Sequence, residues 1–153
     1  MDLATSHPSP QLLSEAAQGK VHWLKLPAGL ASIGAARSAT DACLRTWGLA
    51  EESCEDAVLV LSELATNAIR HTPSEQFLCC VGLTADNLIH LEVHDHDTAV
   101  RSLIPCSPSL DDEGGRGLFL VQHMAERWGV ERSVFTGGNA VWARLAGTRS
   151  TGR

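Results

Sequence analysis

The chain has 153 residues, 44% of them apolar, and carries 12 basic against 18 acidic side chains for a net charge of -6. That length suits one domain around a single core, and without a Lys/Arg cluster the chain lacks the footprint of a nucleic-acid binder. Its five cysteines, odd in number and with no Cys-x-x-Cys pair, argue against a disulfide framework and for a reducing cytoplasm.

Residues 1–19, with His7-Pro8-Ser9-Pro10, read as a flexible lead-in containing one helical turn around Leu12 to Ala17. They show no basic segment followed by an apolar run, so no signal peptide is expected. No stretch is apolar for long enough to cross a bilayer. The folded part is expected over 20–146. Val21 to Leu26 is a short strand that Pro27 ends. Leu30 to Trp47 is a helix, with Ile33, Ala36, Ala39/Thr40, Cys43 and Leu44 at helical spacing and Gly48 closing it. Glu51 to His71 is a second helix; its acidic first turn suits the positive end of the macrodipole, and Thr72-Pro73 stops it.

Gln76 to Leu83 and Leu88 to Asp95 form a hairpin around Asp86-Asn87. Residues 96–114 are a long connection, of the kind that in small domains is functional or mobile. Gly117 to Trp128 is a third helix. Val130 to Phe135 and Ala140 to Leu145 make a last hairpin, and residues 147–153 read as a frayed tail. Helices beside strands that arrive in hairpins predict an α+β, two-layer α/β sandwich.

Three places carry candidate chemistry. On the second helix Glu63 and Asn67, four apart, share a polar stripe with Ser62, Thr66 and Arg70, while Ala57, Leu61, Leu64, Ala65 and Ala68 form the buried side. The stripe is either an ordinary solvated face or the lining of a cleft, where Glu63 takes a proton and the Asn67 carbonyl meets a hard cation. Asp95 shares the parity of Ile89, Leu91 and Val93 and so points to the core side at the strand's end. There it is either a rim turn residue or the partner of a donor such as the amine of a purine. Gly114-Gly115-Arg116-Gly117 opens an apolar helix and is either a plain turn or a phosphate cradle of backbone N–H groups. His94-Asp95-His96-Asp97 has the look of a metal cluster, but no second cluster closes a coordination sphere. His90, His94 and His96 are expected as solvated histidines on the polar side of the strand.

In this order the pieces resemble the GHKL (Bergerat-fold) ATPases, and within them the bacterial anti-sigma-factor serine/threonine-protein kinases and their actinomycete relatives. Leu61 to His71 looks like the family's N box, Val93-His94-Asp95 like its G1 box, and Gly115 to Val121 continued by Trp128-Gly129-Val130 like its G2 box. Gly138 to Leu145, with Val141-Trp142-Ala143, is similar to the closing strand. The resemblance implies a mixed, mostly antiparallel sheet with helices on one face, binding ATP and Mg²⁺. Asn67 would hold the metal and Glu63 would be the catalytic base. Asp95 would meet the adenine amine, Gly115, Arg116, Gly117 and Leu118 would bind the phosphates, and residues 97–114 would be the lid.

It further implies a cytoplasmic homodimer that phosphorylates an anti-anti-sigma (STAS-type) partner and sequesters a sigma factor, or alternatively an ATP-binding regulatory module without kinase activity. Neither nucleic acid nor membrane is implied as a direct partner. Two positions depart from the family's pattern. His96-Asp97-Thr98 stands where many relatives carry glycines after the aspartate, and Ala140 stands where a threonine commonly precedes Val-Trp.

Overall fold

The computed structural model describes residues 16–71, 75–97 and 113–150, with side chains described at 20–70, 75–97 and 119–150. Five strands and three helices follow in the order β1 (Ala16–Pro27), α1 (Leu30–Thr46), α2 (Glu51–His71), β2 (Gln76–Thr84), β3 (Leu88–His94), α3 (Glu113–Met124), β4 (Arg127–Arg132) and β5 (Asn139–Ala146). The sheet order is β1-β2-β3-β5-β4. Every pairing is antiparallel, so the mixed sheet implied by the resemblance is antiparallel throughout the described strands.

The helices bury one face of that sheet. Along α2, Ala57, Val60, Leu61, Leu64, Ala65 and Ala68 recur at the spacing of one helical side and are all buried. They meet Cys79, Val81 and Leu83 of β2, Ile89, Leu91 and Val93 of β3, and Val141, Ala143 and Leu145 of β5 in one core. α1 adds Ile33, Ala36 and Leu44. Each fully buried leucine here contributes about 1.5–3 kcal/mol of burial.

Turn chemistry sets the joints. α1 ends where Gly48 takes φ +89, a left-handed conformation glycine adopts without strain, with its N–H on the Arg45 carbonyl at 3.0 Å. The β2–β3 hairpin closes through Asn87 at φ 64, and Thr84 Oγ1 accepts from the Leu88 N–H at 3.0 Å.

Apart from shifts of one residue at element ends, four boundaries differ from the sequence expectation. β1 begins at Ala16, so residues 16–19 of the expected lead-in are strand, Ala16 and Ala17 rather than a helical turn among them; residues 1–15 lie outside the described residues. Ala16 pairs with Thr84 before a register irregularity leads to Val21, and pairing with β2 outweighs the weak local helical signal. Secondly, α3 runs from Glu113 to Met124 and takes in the glycine segment, while Trp128 belongs to β4. Pairing of β4 with β5 from Arg127 onward ends the helix earlier than its apolar spacing suggested. Thirdly, the last hairpin is shifted, its strands being Arg127–Arg132 and Asn139–Ala146.

The fourth concerns the tail, which is pinned rather than frayed over 147–150. Thr148 N–H donates to Ser53 Oγ at 2.8 Å, Ala50 N–H to the Thr148 carbonyl at 2.7 Å, and Ser150 N–H to the Gly48 carbonyl at 2.8 Å. The α1–α2 junction has helix-end backbone groups that need partners, and the tail supplies them. No helix among the described residues is long and apolar enough to cross a membrane.

Candidate functional site

The acid–amide pair sits in the C-terminal half of α2. Glu63 is half-buried, and Asn67, one turn on, is only 6% exposed. Asn67 Nδ2 is buried with no hydrogen-bond partner. A buried amide atom left unmet costs about 1–3 kcal/mol, so the position suits an added ligand. Turning the amide over presents its carbonyl oxygen at the same point. The rest of the stripe is less available: Thr66 Oγ1 donates to the Ser62 carbonyl at 2.7 Å, inside the helix itself.

Asp95 follows the last residue of β3 and is 1% exposed. Its Oδ1 accepts from the Asp97 N–H at 2.9 Å and the Asn139 N–H at 3.1 Å. The carboxylate is thus held at the rim of the sheet by two backbone donors. Gly138 packs on the same segment. A Cβ there would come within 2.8 Å of the Asp95 carbonyl carbon and the Asp97 nitrogen. Gly138→Ala is therefore expected to destabilise the protein by about 1–3 kcal/mol through overpacking, read by urea unfolding; an unchanged midpoint would contradict the close approach.

Gly115, Arg116, Gly117 and Leu118 lie in the first turns of α3, and their backbone is helical. α3 contacts α2, the helix that carries Asn67. Residues 98–112, most of the expected lid, lie outside the described residues.

The family model described as a histidine kinase-like ATPase domain matches residues 26–145. The chain belongs to this family. The ATPase domain resembles the crystal structure of the RsbU and RsbW domains of Rv1364c from Mycobacterium tuberculosis, with a TM-score of 0.62 and 15% identity over 86% of this chain. It spans 34% of that longer chain, and the likeness is one of fold. Two structures of the blue-light activated histidine kinase EL346 from Erythrobacter litoralis, one of them its histidine kinase domain, are each 21% identical over 78% of this chain. Their TM-scores are 0.48 and 0.49, and the chain spans 60% and 41% of them. No curated protein matches.

The ATPase domain corrects one expectation about its far sheet face. His90 and His94 are not solvated: both are 1% exposed, and Glu92 between them is fully buried. Arg144 Nε–H donates to His90 Nδ1 at 2.8 Å. Because arginine cannot accept, His90 Nδ1 is unprotonated and its Nε2–H donates to Glu92 Oε2 at 2.7 Å. On the other side His94 Nε2 meets Glu92 Oε1 at 2.8 Å, and its Nδ1 meets Ser133 Oγ at 2.7 Å. Ser133 Oγ already accepts from the Phe135 and Thr136 N–H groups at 3.1 and 3.0 Å, so its own proton goes to His94. Both rings are then neutral, and the buried charges are the Glu92 carboxylate and the Arg144 guanidinium. Trp142 stacks on His90 with ring centroids 5.9 Å apart, and Trp23 and Phe135 meet His94 edge-on.

Only His96 of the three histidines is exposed, its Nδ1 lying 3.2 Å from the Gln76 carbonyl. Among the described residues no group of three or more His, Cys, Asp or Glu side chains could hold a metal ion. A strand reading His-x-Glu-x-His carried the missed signal: three polar groups of one parity can satisfy one another when the opposite strand brings a cation. Arg144 pairs with His90 across β3 and β5.

Proposed function

We propose that this domain binds Mg-ATP and acts as an anti-sigma-type regulator, transferring the γ-phosphate to a serine of an anti-anti-sigma, STAS-type partner and sequestering a sigma factor. The buried Asn67 amide with an unmet atom, one helical turn beyond Glu63, is the observation that carries this reading. With that amide turned over, its carbonyl oxygen would stand where no described residue offers a partner, as a magnesium site needs.

The residues then take separate tasks. Asn67 holds the metal, whose charge would neutralise the phosphate oxygens. Glu63 accepts the proton of the attacking serine hydroxyl, so the new O–P bond forms without a cationic oxygen. Asp95 accepts from the exocyclic amine of the base. The N-terminus of α3, where the N–H groups up to Gly115 have no intrahelical acceptor, offers backbone donors and the positive dipole end to the phosphates, and Arg116 adds charge. A homodimer in the cytoplasm fits the same family reading.

Asn67→Ala is expected to weaken Mg-ATP binding by roughly 10- to 100-fold, as for the loss of a contact to a charged group. The check is a titration with and without magnesium: the variant should lose the magnesium dependence as well as the affinity. Transfer itself is tested with γ-labelled ATP and a serine-bearing STAS-type protein. Label on the serine supports the kinase. Tight nucleotide binding without label supports the second reading, an ATP-binding regulatory module that works through protein contacts.

A further inference from the structure

The β4–β5 turn reaches over the end of β3 and holds it from three sides. Thr136 Oγ1 donates to the Asp95 carbonyl at 2.5 Å and itself accepts from the Gly138 N–H at 3.0 Å. The Asn139 N–H meets Asp95 Oδ1 at 3.1 Å, and Asn139 Nδ2 donates to the Asp97 carbonyl at 3.2 Å. The Asp95 N–H in turn donates to the Asn139 carbonyl at 2.9 Å. The missing Cβ of Gly138 lets the two backbones approach this closely.

The turn is also closed by hydrogen bonds of its own. Gly137 N–H donates to the Ser133 carbonyl at 3.1 Å and Ser133 N–H to the Gly138 carbonyl at 2.8 Å. Ser133 Oγ ties the turn to His94, inside the buried network of the far face. A hydrogen-bonded path therefore runs from Arg144 through His90, Glu92, His94 and Ser133 to Thr136, and from there to Asp95.

We infer that Thr136 and Asn139 are positioning residues that set nucleobase selectivity, by fixing the backbone and one carboxylate oxygen of Asp95 so that the carboxylate meets a 6-aminopurine in one orientation. The inference rests on the reading of Asp95 as the group that recognises the base. A carboxylate held in place accepts from an exocyclic amine and repels the carbonyl of a 6-oxopurine. A carboxylate free to swing tells the two apart poorly. On the same reading the N-terminus of α3 meets the phosphates in either case, so loss of the clamp acts on the choice of base rather than on the grip of the phosphates.

The test compares Mg-ATP with Mg-ITP by calorimetry on the full chain. The wild type is expected to prefer ATP. Thr136→Val, which keeps the shape and removes the hydroxyl, is expected to lower that preference about tenfold, and Thr136→Ser to keep it. Asn139→Ala retains the N–H to Asp95 and loses the bond to Asp97; its preference should fall as well, and it decides the matter should Thr136→Val not fold. Both variants keeping the wild-type ratio of affinities, with folded melting curves, would overturn the inference and leave the reading of Asp95 intact. A wild type that binds ATP and ITP alike would overturn both.

Discussion

Replacing Glu63 with alanine is expected to cut phosphoryl transfer to a serine by roughly 10²- to 10⁴-fold, the range for losing a general base, while Mg-ATP affinity changes little. Glu63 is half-buried and sits one turn before the buried Asn67 on α2, so the two side chains leave the helix on the same side. Asn67 is assigned to binding and Glu63 to the proton, and the two variants should separate accordingly. Glu63→Gln sharpens the point. It keeps the shape and a hydrogen-bonding group but takes up no proton, so it should be nearly as slow as the alanine variant. Transfer at the wild-type rate in either variant removes Glu63 as the base. An equal loss of affinity and rate in both would make it a binding residue.

Replacing Glu92 with alanine is expected to lower stability by about 3–5 kcal/mol, the cost of stranding a buried charge. Glu92 is fully buried and accepts from both His90 and His94, while Arg144 lies one ring away behind His90. Its removal takes the carboxylate out of the buried network that reaches Arg144 through His90, and opens two imidazole N–H groups to no acceptor. Urea unfolding measures the loss. A variant as stable as the wild type would show that the network is not held by its carboxylate.

The same group shapes the acid limb of stability. Burial pushes the Glu92 carboxyl up, but the hydrogen bonds from His90 and His94 outweigh it and bring the carboxyl down to about 2. A group whose folded value lies below its ordinary one stabilises the fold fully above that ordinary value. This contribution fades as pH falls from about 4.5 towards about 2. Glu92→Ala should therefore be less stable at neutral pH and lose less on acidification.

The sequence showed the fold through its helical and alternating patterns. α2 was read from Glu51 to His71 as it stands, because its apolar spacing, acidic start and following Thr72-Pro73 all agree. The β2–β3 hairpin was equally clear, since Asp86-Asn87 is a turn signal between two β-rich runs. The start of α3 was less clear because glycines disfavour a helix interior, yet the structure places them within its first turns. β1 was read short because its first residues, Ala16 to Lys20, have no apolar alternation, and only pairing with β2 shows them to be strand.

At the candidate site, Glu63, Asn67 and Asp95 were visible because each depends on local periodicity. Thr136 and Asn139 were not, because their roles depend on a contact some forty residues away in sequence. The far-face histidines misled for the same reason. Parity placed them correctly on the side away from the helices, but that side is buried. Aromatic rings from β1, β5 and the β4–β5 turn pack on the two histidines, and Arg144 from β5 supplies the balancing charge.

The most direct measurement is a calorimetric titration of the full chain with Mg-ATP, paired with the same titration of Asn67→Ala. A magnesium-dependent, saturable heat in the wild type that weakens by at least tenfold in the variant is the predicted result. No heat and no rise in melting temperature at millimolar Mg-ATP, or an affinity indifferent to Asn67, would contradict it.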